Sequence, residues 1–90
     1  MRITFDAAKN ARNLAERGLP FELVADLEWD TAVSTEDTRK DYGERRVRVL
    51  ALLGGRLHVA VITQRDDAIH VISFRKANKK EVKWYGQEKG

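Results

Sequence analysis

The stretch RRVRVLALLGGRLHVAVITQ, residues 45–64, decides the fold of this chain. Apolar and polar residues alternate along Arg45–Leu53 and again along Arg56–Gln64, with the period of two that is typical of strands. Gly54-Gly55 lies between these segments, and a glycine pair adopts the positive φ angles of a two-residue turn. The sequence therefore predicts an antiparallel β-hairpin at the centre of the fold.

The hairpin also predicts which side chains share a face of the sheet. The Gly54-Gly55 loop places Arg46 opposite Thr63. A second two-residue loop at Asp66-Asp67 would pair Thr63 with His70, so that these side chains form one row. The next row along the same face would contain Arg48, Val61 and Ile72. A slip of one residue at the second loop would move His70 to the opposite face.

Helical signals precede the hairpin. Arg2–Phe5 is predicted as a short strand. Asp6 is an N-cap residue for a helix over Ala7–Arg17, and Gly18 is its C-terminal stop. The apolar stripe of this helix consists of Ala8, Ala11, Leu14 and Ala15.

The remaining segments complete an α+β fold. A second short helix covers about Phe21–Glu28, and Ala32–Thr38 has the polar pattern of an edge strand. Ile69–Phe74 is the last strand, and Asn78 caps a C-terminal helix in which Glu81 has the capping-box spacing. The prediction is a short N-terminal strand, two helices, an antiparallel meander of about four strands and a C-terminal helix.

The composition of the chain limits the possible functions. Its 90 residues suffice for one domain, 1–90. With no cysteine and only His58 and His70 as imidazoles, we expect no metal site and no cofactor. No apolar run reaches the ~18–20 residues of a membrane span and the start lacks a signal peptide, which fits a cytoplasmic protein without membrane contact. Residues 1–45 carry a net charge of −3 and residues 46–90 carry +6, which favours a basic face for nucleic acid.

Several cations and proton-transfer groups are candidates for chemistry. They are Lys9, Arg17, Glu44, Arg46, His70, Arg75 and Tyr85. Such a set suits metal-free RNA cleavage, in which the enzyme moves protons and stabilises charge on the phosphate attacked by the neighbouring 2′-hydroxyl. Ordinary structural roles are the alternative: strand arginines extend into water, His70 lies at the surface, and Trp84 and Tyr85 pack.

Three stretches of the chain resemble one protein family. The opening FDAAKNARNLAERGLPFE resembles the start of the BrnT toxins, and DTRKDYGERRVRVL is similar to their Gly-Glu-x-Arg strand. HVISFRKANKKEVKWY is similar to their C-terminal segment. The stretches follow the order and spacing of the family and together cover nearly the whole chain.

The resemblance implies a function. It implies a RelE-like, metal-independent endoribonuclease toxin of a type II toxin–antitoxin module, which cleaves RNA by 2′-hydroxyl attack and inhibits translation. It also implies a BrnA-like ribbon-helix-helix antitoxin that neutralises the toxin. Because such antitoxins dimerise, we expect a complex of two toxins and two antitoxins, which contacts DNA only through the antitoxin.

The resemblance also implies site residues. Those that match the motifs of the family by position are Lys9, Glu44, Arg46, Arg75, Glu81 and Tyr85. The chain departs from the family at Arg17, where histidine is usual, and at His70, where arginine is usual. Arginine stays protonated, so Arg17 does not replace a proton-transferring histidine, whereas His70 supplies a titratable group elsewhere. The candidate catalytic residues are Lys9, Glu44, Arg46, His70, Arg75 and Tyr85, and the candidate RNA-binding residues are Arg17, Lys76, Lys79 and Lys80.

The C-terminal segment carries one further expectation. Arg75 ends the last strand and Asn78 begins the helix, so we expect Arg75 and the helix N terminus to hold the scissile phosphate. Lys79 and Lys80 would then steer RNA towards it. Two alternatives remain: a catalytically weakened homologue that acts only as antitoxin partner and co-repressor, and an RNA-binding module without catalysis.

Overall fold

The computed structural model describes residues 1–90 and contains one five-stranded sheet. Its strands are β1 (Ile3–Phe5), β2 (Val33–Glu36), β3 (Val47–Leu53), β4 (Arg56–Arg65) and β5 (Ala68–Lys76). They lie in the order β1-β5-β4-β3-β2, with β1 parallel to β5 and every other neighbouring pair antiparallel. The predicted α+β architecture is confirmed, and β2 is an edge strand as its polar pattern indicates.

Both predicted turns have the expected length and register. Gly54 and Gly55 have φ angles of 57° and 79°, a backbone region that glycine occupies without a Cβ clash. At the second turn Asp66 has φ 54°, and Thr63 lies opposite His70. The register that places His70 in the same row as Thr63 is therefore confirmed.

The predicted second row is wrong at one position. The pairing of β4 with β5 shifts between Val61 and Ile62, so that Val61 pairs with Ser73 while Ile62 pairs with Val71. Ile72 is the extra residue of this β-bulge. Ser73 therefore takes the place predicted for Ile72, because a bulge changes which residues of a strand face the same side.

The first helix begins and ends as predicted. α1 (Ala7–Arg17) is capped by Asp6, whose Oδ1 accepts a hydrogen bond from the Lys9 backbone N–H at 2.9 Å, and Gly18 ends it with φ 69°. The predicted second helix over Phe21–Glu28 is instead a shorter 3₁₀ helix. The 3₁₀ segments are Phe21–Asp26 and Trp29–Thr31.

α1 packs through asparagines rather than through its apolar stripe. The Asn13 side chain donates to the carbonyls of Leu19 at 2.8 Å and Phe74 at 2.9 Å, and Asn10 Oδ1 accepts from the Phe21 N–H at 2.7 Å. The stripe of alanines and Leu14 is exposed, and no residue of α1 is buried. The hydrogen bonds of Asn10 and Asn13 to backbone groups thus determine which side of α1 faces the sheet.

The two faces of the sheet carry separate cores. The face towards α1, here the α1 face, packs nine buried residues, Phe21, Val24 and Phe74 among them. On the other side α2 (Lys79–Lys89) lies over Leu50, Leu57, Val59 and Ala77, and this side is here the α2 face. Asn78 and Glu81 form the predicted capping box at the start of α2. Neither helix has the length and apolar character needed to cross a membrane.

Candidate functional site

A row of polar side chains crosses the α2 face near the ends of three strands. Thr4 of β1 pairs with His70, and His70 pairs with Thr63 of β4. Val47 pairs with Ile62, so Arg46, just before β3, continues the row beside Thr63. The Thr63 hydroxyl donates to the Arg45 carbonyl at 2.8 Å, and this hydrogen bond holds the segment before β3 against β4. The structure thus brings Arg46 and His70 together on one face.

His70 has one bonded ring nitrogen and one without a hydrogen-bond partner. Nδ1 lies 2.9 Å from Thr4 Oγ1, whereas Nε2 makes no hydrogen bond within the protein. Burial lowers the pKa of His70 below 6.5, and the nearby positive charges of Arg65 and Lys9 lower it further. The lowered pKa favours the neutral imidazole, and in the tautomer in which Nδ1 donates to Thr4 Oγ1 the free Nε2 can accept a proton.

The Arg46 guanidinium lies beneath an aromatic ring. Its central carbon is 4.0 Å from the centre of the Tyr42 ring, a cation–π arrangement. The Tyr42 hydroxyl donates to Asp37 Oδ2 at 3.3 Å, which positions the ring. The buried Nε of Arg46 makes no hydrogen bond: Glu44 Oε2 lies 3.5 Å away, an ionic contact only. Arg46 is thus oriented by stacking and retains unused donor capacity.

Glu44 is the carboxylate of this row. It contacts Arg46 on one side and Arg65 on the other, with Arg65 Nη2 at 3.3 Å from both carboxylate oxygens. Its negative charge also acts on His70, where it opposes the lowering of the imidazole pKa. The cluster therefore combines one carboxylate, one neutral imidazole and two guanidinium groups.

Arg75 lies two rows further along the α2 face, opposite Val59, or about 13 Å along the strands. Its Nη1 and Nη2 donate to the two oxygens of Glu81 at 2.8 and 2.9 Å. These hydrogen bonds raise the pKa of Arg75 and lower that of Glu81. Glu81 also accepts from the Asn78 N–H as part of the capping box. A carboxylate of the protein thus occupies the position expected for a phosphate, and the phosphate role of Arg75 stays a prediction.

The other sequence candidates are spread over the molecule. The Tyr85 hydroxyl donates to the Thr31 carbonyl at 2.9 Å, beyond the Leu50 core and away from His70. Lys9, in the first turn of α1, is exposed and close enough to influence His70. Arg17 is exposed about 12 Å further along α1. The exposed lysines Lys76, Lys79 and Lys80 lie around the start of α2. His58 is buried on the α1 face and bonds to the Arg56 carbonyl, so it does not join His70.

Sequence reasoning did not name four residues of this region as site candidates. They are Thr4, Tyr42, Arg48 and Arg65. Thr4 contacts His70 only because β1 joins the sheet in parallel beside β5, a pairing that no local signal specifies. Arg48 follows Arg46 by two residues, so the alternation of the strand already placed both on one face.

One known protein family matches most of the chain. Residues 5–81 match the sequence model of the family described as ribonuclease toxin, BrnT, of type II toxin-antitoxin system. The chain belongs to the BrnT family. Membership implies a ribonuclease toxin and an antitoxin partner. No individual curated protein gives a significant match.

The BrnT match covers Arg46, Thr63 and His70 of the row but not Thr4, and it stops before the end of α2. Lys9, Glu44, Arg46, His70 and Arg75 all lie within residues 5–81. The match ends at the residue that pairs with Arg75 and caps α2. Tyr85 lies outside it, and its hydroxyl bonds to a backbone carbonyl; the catalytic role of Tyr85 stays a prediction.

Proposed function

We propose that this BrnT protein is an endoribonuclease that cleaves RNA without a metal ion, and that the row on the α2 face is its active site. The observation that carries the proposal is the pairing of a neutral imidazole with an under-bonded guanidinium across one strand. His70 and Arg46 flank Thr63, so their backbones are about 10 Å apart. That separation leaves room for a phosphodiester between the two side chains.

The proposed step needs only side chains of this region. His70 Nε2 accepts the proton of the RNA 2′-hydroxyl, and the 2′-oxygen forms a bond to phosphorus as the bond to the 5′-oxygen breaks. Lys9 supplies the proton that the departing 5′-oxygen takes up. Arg46, whose side chain is partly exposed, donates hydrogen bonds to the phosphorane oxygens from its terminal N–H groups, which stabilise the developing charge. The products are a 2′,3′-cyclic phosphate and a 5′-hydroxyl.

Glu44 positions the cations of the row. Held between Arg46 and Arg65, it limits the freedom of both guanidinium groups before RNA binds. A phosphate that contacts Arg46 replaces the weaker of these two contacts, because the Arg46 Nε lies 3.5 Å from Glu44 and makes no hydrogen bond. Glu44 then keeps Arg65 as its partner.

The exposed basic residues guide the substrate. Lys76, Lys79 and Lys80 lie around the start of α2, beside the row of Arg75. Their charges attract the RNA backbone in a salt-dependent manner. Translation falls because mRNA is cut in the cytoplasm.

The partner we assign is a ribbon-helix-helix antitoxin, in a complex of two toxins and two antitoxins. The exposed stripe of α1 supports a protein partner, since Leu14 is 50% exposed and the stripe residues Ala8, Ala11 and Ala15 are exposed with it. Arg12 and Arg17 lie on the same helix, so an acidic amphipathic segment complements it. Contact with DNA is made by the antitoxin.

The test is cleavage of RNA by purified, antitoxin-free protein in EDTA, followed by end-group analysis. We expect cleavage to persist and to leave cyclic phosphate and 5′-hydroxyl ends. Activity that disappears in EDTA and returns with magnesium contradicts the proposed step.

A second candidate function is a weakened homologue that serves only as antitoxin partner and co-repressor. The observation that favours it is that Arg46 and Arg75 each face a glutamate, which offsets positive charge where RNA would bind. Induction of the protein without its antitoxin separates the two: growth arrest supports the nuclease, and normal growth with intact antitoxin binding supports the co-repressor.

A further inference from the structure

A pocket lies between α2 and the sheet, beside the proposed active site. It has a volume of about 360 Å³, and its lining residues are Arg48, Leu50, Asn78, Lys80, Glu81 and Trp84. Arg48 is two residues beyond Arg46 on β3, so the pocket opens about 7 Å along the same face. A polymer bound at the row therefore has its next unit within reach of this pocket.

The pocket combines an apolar wall with positive charge. Leu50 is fully buried, and the partly buried Trp84 packs against the cluster that contains it. Arg48 makes no ion pair and no hydrogen bond, unlike Arg46 and Arg75 on either side of it. Lys80 adds a second unpaired cation. The Glu81 carboxylate also lines the pocket and interacts with the charge of Arg48, but its hydrogen bonds go to Arg75. An aromatic wall beside cations with free hydrogen-bond donors is the combination with which proteins bind single-stranded nucleic acid.

We propose that this pocket is a nucleotide subsite, which holds the base next to the scissile phosphate against Trp84 and the adjoining phosphate on Arg48. The inference rests on the proposed RNA cleavage at the row and names its substrate as single-stranded RNA. The volume is at the lower end for small-ligand pockets, so it takes one base and not two. Double-stranded RNA is excluded because its stacked bases do not reach the indole.

Binding of an uncleavable RNA tests the subsite without depending on catalysis. The probe is a fluorescein-labelled 2′-O-methyl tetranucleotide, whose blocked 2′-oxygen prevents attack, titrated by fluorescence anisotropy into the full chain. Arg48→Ala and Trp84→Leu should each weaken binding about tenfold or more, as expected for one phosphate contact or one stacked base. Arg56→Ala removes the same charge from the Gly54-Gly55 turn and should leave the affinity unchanged.

A second readout follows the indole itself. The chain has two tryptophans, so Trp29→Phe leaves Trp84 as the only one. The tetranucleotide should quench its fluorescence in a saturable manner, and Arg48→Ala should shift the midpoint to higher RNA concentration. An affinity that Arg48→Ala and Trp84→Leu leave unchanged, or a Trp84 signal that responds to the antitoxin and not to RNA, overturns the subsite.

Cleavage of ordinary RNA by the same preparations separates this proposal from the function it rests on. If the Trp84→Leu protein cleaves at the wild-type rate and at the same RNA positions as the wild type, the subsite is overturned and the proposed nuclease activity stands. Tight, Arg48-dependent binding by a protein that does not cut supports the subsite and counts against the proposed cleavage step.

Discussion

Arg46 and Arg75 lie on the same face of one sheet and each faces a glutamate, yet their surroundings differ. Arg46 contacts Glu44 at 3.5 Å without a hydrogen bond at Nε and is stacked on Tyr42. Arg75 donates two hydrogen bonds of 2.8 and 2.9 Å to Glu81, which also caps α2. A bidentate, charge-assisted pair is among the strongest polar contacts in proteins, whereas a single long contact contributes little.

The difference assigns separate tasks to the two arginines. A guanidinium with unused donors meets a phosphate at small cost, because no good hydrogen bond must be broken first. A guanidinium bonded in bidentate fashion must give up its partner, and here that partner also holds the start of a helix. On the proposed function we therefore expect the chemistry at Arg46 and the anchoring of α2 at Arg75, in place of the phosphate role that the sequence predicts for Arg75.

Removal of the His70 imidazole should have the largest effect. His70→Asn keeps a polar side chain of similar size but cannot accept a proton, so the cleavage rate should fall about 10²–10⁴-fold. Thermal unfolding should stay close to that of the wild type. His58→Asn is not a suitable control because that residue is buried, and Arg56→Gln, exposed beside the Gly54-Gly55 turn, serves instead. A His70→Asn protein that cuts at the wild-type rate contradicts the assignment.

The role of Arg75 in stability can be isolated with its partner. Glu81→Gln removes the charge of the pair and weakens the capping box, so the free energy of unfolding should fall by about 1–3 kcal/mol. A double-mutant cycle of Arg75→Ala and Glu81→Gln, followed by urea denaturation, measures the coupling. Additive losses would show that the two side chains do not stabilise each other in solution.

The sequence predicted the interactions between neighbouring residues and missed those between distant segments of the chain. Helix caps and turns depend on neighbouring residues, so the sequence correctly predicted the caps at Asp6 and Asn78 and the two hairpin loops. The Ile72 bulge and the outward stripe of α1 were not predicted, because they depend on packing against distant segments. The capping box of Glu81 was predicted from its spacing, but the sequence does not show that the same carboxylate also binds Arg75.

As the pH falls, the stabilising contributions of His70 and of the Arg75–Glu81 pair should be lost at different pH values. Hydrogen bonds from Arg75 lower the pKa of Glu81, so its stabilisation is present above 4.5 and is lost as the pH falls through the lowered value. Burial lowers the pKa of His70, so the unfolded chain takes up a proton first and stability falls once the pH drops below about 6.5. The measurement is the free energy of unfolding across pH 3–8 for the wild type, His70→Asn and Glu81→Gln. A wild-type curve without the upper step contradicts the burial of His70.

The basic residues around α2 should give the smallest effect. Lys79→Ala with Lys80→Ala should weaken RNA binding and reduce the slope of log affinity against log salt by roughly one to two, because up to two phosphate contacts are lost. Cleavage of a saturating short substrate should continue. An unchanged salt slope would mean that these lysines do not contact RNA.

The most direct test compares Arg46→Ala with Arg75→Ala in two assays, single-turnover RNA cleavage and thermal unfolding. We predict that Arg46→Ala lowers the cleavage rate about 10²–10³-fold, as expected for loss of a transition-state donor, with unfolding changed by about 1 kcal/mol or less. Arg75→Ala should lower the unfolding temperature and still cleave while folded. The opposite result, a folded Arg75→Ala protein without activity beside an active Arg46→Ala protein, would place the scissile phosphate at Arg75 and contradict this account.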